Sequence, residues 1–290
     1  MNKKKRTTTL IIAGLVCVLL VVGIILTNTG EPKPETVKEV MKDAVVHDSN
    51  KINFFGIEVN PSVISAYTVT CIILVFALIL RLFVIPKFKK IPGKLQSLLE
   101  MWVGFFDNLA KTSSPHLNKF LGAYVFAAGT YICLGTLFEL FGIQAITTKG
   151  HSIALPAPHA DINAAIQMGC LSFLVILSGG IKANKLKGVG LTLKEFSLPI
   201  SMSFRLFGAL LSGMLVTELI YFTLGLSILL PVVVGVVFTL LHALIQAYVL
   251  TLLTAIFYGE VSEPPKPKEK KQKKNKNKND AEPDVKVQEA

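Results

Sequence analysis

Ser203-Phe204-Arg205-Leu206-Phe207-Gly208-Ala209-Leu210-Leu211-Ser212-Gly213 sets an arginine inside an apolar run that starts near Phe196 and reads on to Phe222. Nine residues of helix at 1.5 Å each place Arg205 roughly 14 Å into that run. This is near the middle of a hydrocarbon core about 30 Å thick. A charge at that depth costs about 2.5–3.5 kcal/mol on an insertion scale. The guanidinium cannot shed the charge, because its pKa lies above about 12. A residue that costly is kept where its charge is used.

The surroundings of this run are those of a membrane protein. Of 290 residues, 51% are hydrophobic, and the mean hydropathy is +0.56. Soluble domains rarely reach that value, so the fold class is an all-α, polytopic membrane protein. The formal net charge is +11. The basic residues gather at the termini and in two loops, the pattern of cytoplasmic loops and not of a nucleic-acid surface. Cys17, Cys71, Cys133 and Cys170 all fall in apolar runs without CxxC or Cys/His spacing. Neither disulfides nor a metal is therefore expected. There is no glycine-rich phosphate loop of the GxxxxGK type, and no cofactor is expected. His116, His151 and His159 lie in loops without matching ligand spacing, and His47 lies in the first external loop.

Six spans follow from the order of apolar and basic stretches. Residues 1–30 form a membrane anchor or a cleaved signal: Lys3-Lys4-Lys5-Arg6 precedes the apolar run Thr9–Thr27. The run's length, and the lack of a small-x-small cleavage site after it, favour an anchor. Residues 31–62 are an external loop. The second span, Val63–Ile85, ends in Pro86-Lys87-Phe88-Lys89-Lys90, which places the chain back inside. Leu95, Leu98, Leu99, Trp102, Phe105, Phe106 and Leu109 then make a helical stripe over 94–111. Such a helix can lie at the interface or pack on neighbouring protein. The third span is Phe120–Ile143 and the fourth is Ala164–Ile181, with Lys182, Lys185, Lys187 and Lys194 beyond it on the inside. The fifth carries Arg205, and the sixth, Val232–Tyr258, completes a hairpin with it. The membrane domain is thus 63–259. Residues 260–290 are a Lys-, Pro- and Asn-rich tail of low complexity, and both termini are expected in the cytoplasm.

The chemistry lies in the polar residues inside these spans: Glu139, Arg205, Glu218, His242 and Gln246. At 100° per residue, Ala209, Ser212 and Val216 share the face of Arg205. That small-residue face suits either close helix packing within the chain or a partner carboxylate that comes and goes. Glu218, thirteen residues on, lies about 220° round the helix and points elsewhere. His242 and Gln246 are four residues apart, on one face of the sixth helix. His242 is a packing residue or, paired with a glutamate of the neighbouring helix, a proton relay.

These residues resemble the a subunit of the F-type ATP synthase membrane sector. The resemblance rests on Glu195-Phe196-Ser197, Pro199-Ile200-Ser201, Ser203-Phe204-Arg205-Leu206-Phe207-Gly208 and Gly213 in the fifth helix. It rests also on Gln246-Ala247-Tyr248-Val249-Leu250-Thr251-Leu252-Leu253-Thr254 in the sixth. Pro92-Gly93 with Gln96 and Glu100, and Asp161 with Asn163, add to it across roughly residues 86–258. The resemblance implies a non-catalytic, ion-conducting subunit of a bacterial plasma-membrane complex. It would sit beside a rotating c-subunit ring, a b-subunit stalk and membrane lipid, and reach the F1 sector indirectly. Two offset half-channels would bring ions to the ring's carboxylate, and Arg205 would attract that carboxylate as it passes, with Gln246 facing the arginine. Glu218 and His242 would serve ion translocation, and Glu139, Asp161, Asn163 and Ser212 would line the half-channels. The family's Asn after the glycine is Ala209 here. Its polar residue nine after the arginine is Met214, with Glu218 one turn on. The histidine seven before the glutamine is Thr239, with His242 one turn off, and an Asn ending the third helix is Glu139. The rival readings are a stand-alone secondary transporter, for which no internal repeat is visible, and an insertase-type structural protein, which would not predict the Gln246 helix.

Overall fold

The computed structural model describes residues 51–263, apart from 55, 117, 149, 151 and 223–229, together with Gly14 and Val18. The expected first span at 9–27, most of the first external loop, the turn between the fifth and sixth helices and the tail beyond 263 lie outside the described residues. The α-helices are α1 (Pro61–Ile79), α2 (Lys94–Ser113), α3 (Asn118–Phe138), α4 (Ile162–Lys194), α5 (Ser197–Phe222) and α6 (Leu230–Ser262). All but α2 are long and apolar enough to cross a membrane. The all-α membrane architecture is therefore observed for the five spans within the described residues.

α3, α4, α5 and α6 form the bundle, and small residues set how closely they approach. α4 buries Ala165, Gly169, Ser172, Ile176 and Gly179 at helical spacing. A Cβ on Gly169 would lie 2.7 Å from the Pro199 carbonyl of α5. A Cβ on Gly179 would enter the ring of Tyr258 on α6, itself 1% exposed. Lipid is as apolar as a leucine side chain, so membrane helices associate through this kind of close packing and through buried hydrogen bonds. One such bond joins Tyr124 of α3 to Ser172 of α4 at 2.7 Å. α1 starts at Pro61, where a proline has no N–H to leave unpaired. It buries only Pro61, Ser62, Ser65 and Val69 against the bundle and leaves its second half exposed. It runs on through a π turn, Leu80–Val84, and a 3-10 turn, Ile85–Lys87.

α2 packs on its own chain, one of the two arrangements its apolar stripe allows. Trp102 Nε1 donates to Thr130 Oγ1 at 3.0 Å, halfway along α3, and the Phe106 ring fills the notch left by Gly129. Its far end meets α6, where the Ser114 and Ser262 hydroxyls lie 3.3 Å apart.

Two features depart from the sequence expectation. The stretch between the fourth and fifth spans, expected as a loop on the inside, is helical on both sides of a reversal. The helix reverses at Lys185 (φ 51°, ψ −133°), so that the backbone of Gly188 folds against Gly180. Two short antiparallel hairpins also cap the other end of the bundle: β1 (Ile52–Phe54) with β2 (Ile57–Val59), and β3 (Gln144–Ile146) with β4 (Ser152–Ala154). They are tied together by the Thr148 N–H donating to the Lys51 carbonyl at 3.0 Å.

Candidate functional site

α5 is sorted by a four-residue repeat. Leu198, Met202, Leu206 and Leu210 are buried and turn toward the bundle. One residue further round, Arg205, Gly208, Ser212 and Val216 are exposed, and Ala209 is half-buried. The apolar repeat that anchors Leu206 therefore holds Arg205 on the outside. No ion pair reaches it among the described residues; the one salt bridge there joins Lys111 to Asp107 on α2. The Ser212 hydroxyl is turned back onto the Ala209 carbonyl at 2.8 Å.

Gln246 lies on the buried side of α6 and is 6% exposed. Its neighbours Ala243, Ala247 and Leu250 pack in one cluster with Leu206 of α5 and Ile132 of α3. No hydrogen bond joins the Gln246 amide to Arg205 among the described residues, although the resemblance sets the two face to face. Leu206, and not Arg205, occupies that cluster.

His242 and Glu139 line one groove where α3, α5 and α6 converge. Thr136 and Glu139 come from the end of α3 and the 3-10 turn after it, Thr217 from α5, and Thr239 and His242 from α6. Gly213 of α5 faces the imidazole: a Cβ there would lie 3.5 Å from His242 Nδ1, at ordinary contact distance. The Phe238 ring lies 5.7 Å from the imidazole, centroid to centroid. Met214, at the altered family position, also lines the groove. Glu218 follows Thr217 directly on α5, and its side chain lies outside the described residues.

Asp161 and Asn163 are not part of this groove. Asp161 is the N-cap of α4: Oδ1 accepts from the Asn163 N–H at 2.7 Å and Oδ2 accepts from Asn60 Nδ2 at 2.6 Å. Asn163 itself is exposed. Thr136 and Thr217 carry no sequence signal, since a threonine in an apolar helix reads as packing.

His159, outside the spans, is a buried group in a loop that offers no ligand pattern. It is 2% exposed, its ring stands edge-on to Tyr131 at 5.2 Å, and Nδ1 has no hydrogen-bond partner among the described residues. Burial holds its pKa down at about 4. The unfolded chain binds this proton below about pH 6.5, whereas the folded chain does so only below about 4. Its contribution to stability is therefore constant above about pH 6.5 and eroded as pH falls toward about 4. In detergent, His159→Gln is expected to lose about 2 kcal/mol less than the natural chain between roughly pH 7 and 5. Thermal unfolding at the two pH values checks this, and equal losses would contradict it.

Compared with known protein families, the chain matches the model described as "ATP synthase A chain" over residues 65–259, more than half its length.

Proposed function

Because this chain belongs to the ATP synthase A chain family, we propose that it is the stator through which ions reach and leave a ring of small membrane subunits. The chain is a multi-pass membrane protein of the ATP synthase membrane sector. The observation that carries the finer reading is Arg205: a permanent mid-span cation on the outward face of α5, unpaired within the described residues. A cation held outward and unpaired suits a carboxylate on a neighbouring protein that arrives, pairs and moves on. The membrane potential supplies about 2.3 kcal/mol per charge per 100 mV to drive that movement. The buried amide of Gln246 stands on the adjoining helix. The groove holding Glu139 and His242 serves as one half-channel, with Glu218 close by on α5. In this reading that end of the bundle, with the lysines at the reversal of α4, faces the cytoplasm of a bacterial cell, as the bias of lysine toward inside loops favours.

The docking face is tested with a cysteine at Ser212, in a chain whose exposed Cys71 and Cys170 are replaced by serine. Treated with a short bifunctional maleimide in native membranes, Ser212→Cys is expected to join this chain to a cysteine introduced in the small ring-forming subunit. Leu174→Cys, on the exposed side of α4, is expected not to. The opposite pattern would contradict the reading.

A further inference from the structure

The Thr136 side chain is fully buried at 0% exposure, and its hydroxyl has no hydrogen-bond partner among the described residues. Three other buried helical hydroxyls, Ser172, Thr251 and Thr254, bond back to a carbonyl one turn earlier, and only Ser62 in the first turn of α1 shares the unpartnered state of Thr136 among the described buried helical hydroxyls. An orphaned buried hydroxyl costs about 1–3 kcal/mol, so an unbonded Thr136 points to a partner that is not a protein atom. It lines the groove with Glu139, Thr217, Thr239 and His242. Glu139 (from the α3 side) and His242 (from α6) are its titratable residues among the described ones, and α5 contributes Thr217, Met214 and Gly213.

We propose that Thr136 is a positioning residue: its hydroxyl holds a water that carries protons between Glu139 and His242. This rests on the half-channel reading of the groove and specifies what moves through it. In the transfer, the Glu139 carboxyl gives its proton to the water while the water gives one to a free imidazole nitrogen of His242. One O–H bond breaks and one N–H bond forms, leaving carboxylate, water and imidazolium.

The test uses the assembled complex in liposomes and measures passive proton flux driven by a potassium diffusion potential, with and without sodium. Thr136→Val, close in shape but without the hydroxyl, is expected to slow the flux about tenfold at every sodium concentration, and to move its pH profile. Thr136→Ser is expected to restore both. Normal flux in Thr136→Val while Glu139→Gln is slow would overturn the proposal and leave the half-channel reading standing. Normal flux in both variants would overturn both. Transport that follows sodium and not pH would overturn the proton relay.

Discussion

Arg205→Ala is expected to abolish ATP-driven ion pumping in inverted vesicles, by at least about a hundredfold. Removing one partner of an ion pair in a poorly solvated site costs about 3–5 kcal/mol, and about 2.8 kcal/mol is already a factor of 100. The chain itself should fold and assemble normally, because Arg205 is exposed and makes no salt bridge among the described residues. The same substitution should let ions leak without turnover, since nothing then forces the ring carboxylate to part with its ion. Arg205→Lys keeps the charge but loses the planar fork that suits a carboxylate, so it should fall between the two.

Glu139→Gln is the second large effect. The substitution keeps size and hydrogen-bonding capacity and removes only the ability to release a proton. Positioned acid–base groups contribute about 10²–10⁴ to a proton-transfer rate. Proton flux through the assembled membrane sector should therefore fall at least about tenfold, with His242→Phe behaving alike because both side chains line one groove. Passive flux in liposomes measures it. Unchanged flux and pH dependence in both variants would place the path elsewhere, with Glu218 the next residue to replace.

The helical face that Arg205 shares with Ser212 and Val216 is legible in the sequence, because helical periodicity is local. Which way that face turns depends on Leu198, Leu206 and Leu210, and all three are buried against the bundle. The groove is less legible. Glu139 and His242 lie far apart in sequence, and the family positions at Met214 and Thr239 hold residues without acid–base chemistry. Only the packing of α3 against α5 and α6 shows that Glu139, Thr217 and His242 reach one place. Thr136 is silent in the sequence because its distinguishing property is a missing bond. The resemblance assigns Asp161 to half-channel lining, and the contacts that the sequence does not reveal are its cap of α4 and its tie to Asn60. The reversal at Lys185 is hidden for another reason: a lysine occupies the left-handed φ where a glycine would have announced the turn. The short hairpins have strands of three residues, too few for alternation to register.

The most direct measurement of the central claim is the number of ions pumped per ATP hydrolysed by Arg205→Ala beside the natural chain, at equal amounts of assembled complex. The account predicts a ratio at background in the variant, with the complex intact and its membrane leak raised. A ratio equal to that of the natural chain would contradict it.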